Sequence, residues 1–435
     1  MRFIHLGDTH LGKFDRGKRE RFRDNGIAFL QVVEYAIDQG VDFVLHSGDL
    51  FDTHRPDADT ILQAILVLTK LKENGIPFFV TEGNHDMMKG RLLNSIFHVL
   101  AKQNLVRFLY FYDLEDFETS YCDYEVPQTK EKVRIYGLGY LRSGMTNMIG
   151  EIAEKINPNT NNIIMLHAGI TGTYSHGTDL DSLSPHNISK YFGQNYIYFA
   201  LGHYHDKAED PGRRVYQPGS TERWTTGEKL EKFFFDVEWD GSSPPVAKAV
   251  PIHIRKTFNK QFEITSWKAG LKDVLAWLES IRGERDEHPL RKKYSDAPII
   301  NLHIYGRLKK YFDIQELTSD LEKLYCLYYT FRNDVVLAQF SHDVRKWGEL
   351  DEKAIKLDIL KGALSEVFGT DLESVSEFVL EYIQSVHTFD IIKSRQYQDL
   401  RKEQRDELRE FQQKLRKYRQ ENSEVFNSPS QNVQK

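Results

Sequence analysis

Between Arg2 and His205, five short apolar runs each stop at a cluster of Asp, Asn or His. Residues 2–6 run into Asp8 and His10. Residues 41–45 run into Asp49, and residues 77–80 into Gly83-Asn84-His85-Asp86. Residues 162–166 meet His167, and residues 196–201 meet His203 and His205. Short apolar runs bounded by Gly, Asn and Asp read as buried strands. Amphipathic helices separate the first three. One is carried by Ile27, Leu30, Val33, Tyr35 and Ile37 and stops near Gly40; the other covers residues 61–72 and is closed by Gly75. This β-α-β-α-β order predicts a parallel sheet with right-handed crossovers. Open α/β sheets place their chemistry beyond the C-terminal ends of the strands. Any one of these clusters could be a polar turn, for which Gly, Asn and Asp are the usual residues. Five of them, each behind a buried strand, point to a shared task.

The strand-end residues Asp8, His10, Asp49, Asn84, His167, His203 and His205 are oxygen and nitrogen donors with no thiolate. That mixture suits Mn, Mg, Fe or Zn in a reactive site rather than a Cys-based structural zinc. The set is too large for one ion with open positions, and it suffices for two ions that share a carboxylate. Two ions ~3.5–4 Å apart can activate a water and clamp a phosphate for in-line attack. Asp8/His10 and His203/His205 are i, i+2 pairs, and at a strand end both members can turn toward one point. His5, inside the first run, reads as a core residue, and His46, before the Asp49 turn, as a support for the site. Lys13, Arg16, Lys18, Arg19, Arg21 and Arg23, set against Asp15, Glu20 and Asp24, form either a solvated face or a phosphate contact beside the site.

Residues 91–101 read as a helix, and residues 105–127, irregular and aromatic-rich, read as edge strands. A strand at 132–138 and a helix at 145–156 follow. Residues 213–217 and 233–238 read as antiparallel strands that finish a first domain near residue 250, before the Ser242-Ser243-Pro244-Pro245 linker. Beyond it, a helix at 267–281, a strand at 299–305, a helix at 314–325 and a strand pair at 327–340 make a small α+β domain. Its basic clusters are Arg291-Lys292-Lys293 and Arg307 with Lys309 and Lys310. From Glu349 the strand signals vanish. Residues 354–368 are amphipathic, and 390–421 form a long charged helix striped by Tyr397, Leu400, Leu408, Phe411, Leu415 and Tyr418. So narrow a stripe cannot bury itself and requires a partner surface. The polar tail from Asn427 reads as disordered. The expected organisation is 1–250, 251–345, 346–425 and a tail at 426–435.

The two cysteines, Cys122 and Cys326, form no CxxC, which fits a reducing, intracellular (cytoplasmic) compartment. The N-terminus has no signal-peptide layout, and no apolar run is long enough to span a membrane. Net charge is −6, so any nucleic-acid surface must be local.

The motifs GDTHLG at 7–12, GDLFD at 48–52, GNHD at 83–86, LHAG at 166–169 and GHYH at 202–205, in that order, resemble the calcineurin-like metallophosphoesterases. The opening RFIHLGDTHLG, the Pro218-Gly219-Ser220 turn and DAPIINLHIYGR at 296–307 are similar to the Mre-eleven/SbcD nucleases of double-strand-break repair. The resemblance implies an α/β fold: a metallophosphoesterase β-sandwich flanked by helices, with a small α+β cap domain and a C-terminal helical segment. It assigns one ion to Asp8, His10 and His205 and the other to Asn84, His167 and His203, with Asp49 bridging. His85 becomes the general acid, or a group that stabilises the transition state, and Asp86 orients His85 or its turn. Asp52 stands where some members carry His. The cofactor implied is two Mn2+, with Mg2+ or another divalent ion possible. The implied activity is 3′-to-5′ exonuclease and single-strand endonuclease cleavage of DNA. The implied partners are a second copy of the chain and a Rad-fifty/SbcC-type coiled-coil ATPase docked on the helical segment. A phosphodiesterase of small phosphodiesters or cyclic nucleotides is the alternative activity, and an assembly subunit with a secondary metal site is the non-enzymatic one.

Overall fold

The strands that read as unbroken apolar runs are buried on both faces. In the computed structural model, which describes residues 1–337 except 89–93, 116, 128, 142–144, 174–180 and 309–314, they build two six-stranded sheets packed face to face. The strands are β1 (Arg2–Leu6), β2 (Phe43–His46), β3 (Phe78–Val80), β4 (Arg107–Phe108), β5 (Tyr121–Glu125), β6 (Lys132–Gly139), β7 (Asn162–Leu166), the ribbon β8 (Gly169–Ile170) and β9 (Ser182–Leu183), β10 (Tyr198–Leu201), β11 (Ala208–Asp210), β12 (Val215–Gln217), β13 (Lys232–Glu238) and β14 (Val246–Ile252). One sheet has the order β14-β13-β1-β2-β3-β4, the other β11-β12-β10-β7-β6-β5. As the β-α-β-α-β reading requires, β1, β2, β3 and β4 are parallel.

Strand parity explains the composition. Phe3, Phe43 and Leu45 point between the sheets, where they meet Ile163, Met165, Tyr198 and Ala200 of the opposite sheet. Ile4, Leu6 and Val44 point outward against α1 (Arg19–Gln39), α2 (Ala58–Glu73) and α3 (Ile96–Lys102). Ile164, Leu166, Phe199 and Leu201 point outward from the second sheet against α4 (Met145–Lys155) and α5 (Pro185–Phe192). A strand covered on both faces has no polar side and shows no alternation.

Three elements differ from the sequence reading. The helix expected over 91–101 is α3, which begins where Ser95 caps it, accepting from Phe97 N while His98 Nδ1 accepts from Ser95 N. The strands expected as an antiparallel pair at 213–217 and 233–238 lie in different sheets: β12 is parallel to β10, and β13 is antiparallel to β1. The 218–231 loop therefore crosses from one sheet to the other. Of the strand pair expected at 327–340, the described residues form one strand, β17. It joins β15 (Thr257–Glu263) and β16 (Ile299–Leu308) in a three-stranded sheet accompanied in the chain by α6 (Trp267–Ser280), α7 (Pro289–Tyr294) and α8 (Gln315–Glu322), and β17 itself spans Tyr328–Leu337. The amphipathic segment at 354–368, the helix at 390–421 and the tail lie outside the described residues.

The chain divides into two units, and the larger comprises Met1–Glu263, Lys268–Tyr305 and Asp313–Asp334. Within it, the segment after β14 is fastened to α1 by a buried charge cluster. Asp24 accepts from Arg21 Nη1 (2.7 Å), from Arg255 Nε and Nη2 (2.7 and 2.9 Å) and from Arg291 Nε (3.0 Å). Glu222 adds contacts to Arg21 (3.3 Å) and Arg291 (3.5 Å). Arg21 and Arg291 are therefore buried, so the runs Lys13–Arg23 and Arg291-Lys292-Lys293 are not continuous cationic surfaces. Burial alone would raise the Asp24 pKa, but the guanidinium charges of Arg21, Arg255 and Arg291 outweigh it and hold the group at about 2.

Removing one partner of a buried ion pair leaves an uncompensated charge. Asp24→Ala is expected to cost ~3–5 kcal/mol in urea unfolding at neutral pH. Because the folded pKa lies below the ordinary 3.8, the Asp24 contribution is full above that value and lost as pH falls through about 2. The gap between wild type and variant should therefore close across that acid window and stay constant above it.

Candidate metal centre

All seven sequence-predicted donors lie just past strand ends: two after β1, one after β2, one after β3, one after β7 and two after β10. β1, β2 and β3 come from one sheet and β7 and β10 from the other, so the donors face one another across the top of the sandwich. The backbone there is unusual. Asp8 (φ 51°), His10 (φ 47°), Asp49 (φ 57°) and His203 (φ 81°) all occupy the left-handed region. That conformation costs a non-glycine residue ~1–3 kcal/mol and persists where the surroundings impose it, typically at functional sites. Gly48 (φ 99°) and Gly83 admit the close approach: a Cβ on Gly48 would lie 2.4 Å from His167 Nδ1, and one on Gly83 2.1 Å from Asp49 Oδ1.

The donors fall into two groups that share Asp49. His167 Nε2 lies 3.2 Å from Asp49 Oδ2 and 3.0 Å from Asn84 Oδ1, and His203 Nδ1 lies 2.9 Å from the same Asn84 oxygen. On the other side, His10 Nε2 is 3.1 Å from His205 Nε2 and 3.8 Å from Asp49 Oδ2. Donor atoms of Asp8, His10 and His205 all lie within 4.8 Å of one another, as do those of Asp8, Asp49 and His167. Ligands ~2.1 Å from an ion, at right angles, stand ~3.0 Å apart. The spacings among Asp49, Asn84, His167 and His203 (2.9–3.2 Å) and between His10 and His205 (3.1 Å) match that figure, while His10 and Asp49 stand wider at 3.8 Å, so the residues present fit divalent ions. Asp49 Oδ1 accepts from His85 N (2.8 Å), which leaves Oδ2 facing both groups. Asp8 is held by His203 N, 3.0 Å from each of its oxygens.

The electrostatics point the same way. Burial, reinforced by the Asp49 charge, pushes Asp8 up to about 6 despite His167 and His10. Burial also opposes the ionisation of Asp49, but the neighbouring His167 and His10 outweigh it and hold the group far below the carboxylate range. His167 is raised to about 9 because Asp49 and Asp8 outweigh the effect of its burial. Two buried carboxylates thus call for positive charge, which a divalent cation can supply. Burial, together with the charge on His167, lowers His203 to about 3, leaving a neutral imidazole suited to ligation.

His85 is partly exposed beside these groups. Its ring centroid is 4.8 Å from that of His10, and its Nδ1 lies 3.1 Å from the carbonyl oxygen of Asp52. Asp86 is a turn residue that accepts from Gly83 N (2.7 Å) and Phe51 N (3.3 Å). His5 is a satisfied core residue bonded to Tyr198 Oη and Ser47 Oγ, and His46 bonds Thr9 beneath the site. Residues the sequence reading passed over also reach the centre. Glu228 Oε1 is 2.9 Å from His205 Nδ1, Trp224 Nε1 donates to Asp52 Oδ1 (2.7 Å), and Ser47 O meets His167 Nδ1 (2.9 Å).

The chain resembles known proteins over most of its length. Residues 1–207 match the family described as Calcineurin-like phosphoesterase. The chain is similar to the DNA double-strand break repair protein Mre11 of Saccharolobus solfataricus, 27% identical over 342 residues, covering 75% of this chain and 82% of the relative. It is also similar to the protein of that name from Sulfurisphaera tokodaii, 25% identical over 418 residues, covering 94% and 95%. Against the Sulfolobus acidocaldarius counterpart it is 31% identical over 211 residues, covering 48% and 51%. Residues 1–207 are a calcineurin-like phosphoesterase domain, which makes the protein a metal-dependent phosphoesterase. Over most of its length the chain is similar to the Mre11 proteins.

A site that binds cations only in the folded chain must stabilise it. Mn2+ at a hundredfold excess over its Kd should add ~2.7 kcal/mol per site to unfolding free energy. A melting curve that rises with Mn2+ and falls back with EDTA would show this; no shift would count against the site.

Proposed function

We propose that the chain is a Mn2+-dependent DNA nuclease that hydrolyses phosphodiesters with two ions and processes DNA ends. The observation that carries this is the sharing of Asp49 Oδ2 between the two donor groups, with His85 alongside. In this reading Asp8, His10 and His205 hold one ion, Asn84, His167 and His203 hold the other, and Asp49 bridges. When bound, the ions would polarise the phosphate and lower the pKa of water. The imidazole-rich donor set favours Mn2+ over Mg2+, which prefers oxygen ligands. His85 donates Nδ1–H to Asp52 O, which leaves Nε2 as the ring atom that would carry a second proton and pass it to the departing sugar oxygen. DNA as substrate follows from the repair proteins the chain resembles. In the same reading residues 251–345 cap the DNA, and the 346–425 segment docks on a Rad-fifty/SbcC-type coiled-coil ATPase.

A homodimer through the nuclease domain has support in exposed apolar side chains. Leu62 (54% exposed) and Leu66 (61%) lie one turn apart on α2, and Val99 (53%) lies on α3. The ends of the two helices adjoin, with Lys72 Nζ donating to Gln103 O (2.8 Å). Adjacent exposed apolar side chains at helical spacing mark an association surface.

Wild type with Mn2+ should degrade duplex ends in preference to a small diester. His85→Ala should lose ~10²–10⁴-fold in rate while binding Mn2+ as before. A preference for the small diester, or loss of metal in that variant, would overturn the assignment. Leu66→Asp should shift the chain from dimer to monomer in light scattering; an unchanged mass would exclude this face.

A further inference from the structure

The two donor groups are backed differently, and one residue accounts for the difference. His10 and His205 turn Nε2 toward each other, so each presents Nδ1 to the protein behind. His205 Nδ1 meets Glu228 Oε1 at 2.9 Å. His10 Nδ1 is buried, forms no hydrogen bond, and has Asp52 Oδ1 at an ion-pair distance of 3.3 Å. Both carboxylates are held by Trp224: its indole Nε1–H donates to Asp52 Oδ1 (2.7 Å), and its backbone N–H donates to Glu228 Oε2 (3.2 Å). Lys13 Nζ lies 3.5 Å over the indole ring and 3.8 Å from Asp52, and Lys232 Nζ lies 2.8 Å from Glu228. Among the described residues, the second group has no carboxylate within hydrogen-bond distance behind its imidazoles. His167 Nδ1 faces the neutral carbonyl of Ser47 (2.9 Å), and His203 Nε2 is 3.9 Å from Asp181, beyond hydrogen-bond reach.

A carboxylate behind a ligating imidazole fixes its orientation and raises its basicity, and loss of such a partner costs ~10–100-fold in metal affinity. Resting on the two-ion reading above, we infer that Trp224 is a positioning residue that makes the two ion positions unequal. It holds Asp52 and Glu228 behind His10 and His205 and thereby tightens the Asp8–His10–His205 position selectively. Asp52 then has a role of its own: it supplies the negative charge behind His10.

Calorimetric titration of the metal-free full-length chain with MnCl2 tests this. Wild type should show two binding steps. Trp224→Phe keeps an aromatic ring and the backbone N–H but removes the indole donor, and it should weaken one step ~10–100-fold and leave the other unchanged. Asp52→Asn and Glu228→Gln keep shape and lose charge, and they should weaken the same step. Combined with Asn84→Ala, which strips the opposite position, Trp224→Phe should leave little uptake. Two unchanged steps in all three single variants, or equal weakening of both steps, would overturn the inference. A wild type that took up one ion would instead overturn the two-ion reading itself.

Discussion

The centre depends on a single carboxylate. Asp49 sits where the two donor groups meet, with one oxygen pinned by His85 N and the other turned toward His167 and His10. Its position is fixed by the left-handed backbone after β2 and by the absence of side chains on Gly48 and Gly83. Each of these conditions is local, yet together they join two sheets. His167 comes from the sheet opposite Asp49, and the contact closes the top of the sandwich at the one place where its parallel strands from both sheets end.

How much of this could be read from the chain follows from what each residue obeys. The donors were legible because each follows a strand whose burial leaves a plain apolar signature, and polar residues stand out where that signature stops. The strands beneath them were legible for the same reason, but their division into two packed sheets came from the family resemblance, and pattern alone could not assign β12 and β13 to different sheets. Sheet membership is decided by where the 218–231 loop crosses, and that crossing leaves no periodicity. Trp224 and Glu228 ride on the same loop, so they were hidden along with it. Residues 327–340 read as a pair because aromatic and β-branched residues fill both halves, with Asn333 and Asp334 between them as an apparent turn. In the structure those two continue the strand, and Asp334 meets His303 of β16 at 2.9 Å.

Charge was the least legible property. A count of Lys and Arg along residues 13–23 or 291–293 suggests a surface for phosphate, yet Arg21 and Arg291 are turned inward. What decides their fate is Asp24, a carboxylate on the inner side of α1 that only tertiary packing brings to Arg255 and Arg291. Opposite charges far apart in sequence cannot be paired by inspection, and a residue that looks like part of a ligand surface can be a fastener.

That fastener sets the size of the piece that folds. The sandwich strands end at Ile252, but two of the three guanidinium groups that neutralise Asp24 are supplied at positions 255 and 291. A gene fragment trimmed to the sandwich would carry every metal-facing side chain and still encode a buried anion left with Arg21 alone of its three partners. The smallest autonomous version of this enzyme is therefore longer than its chemistry requires.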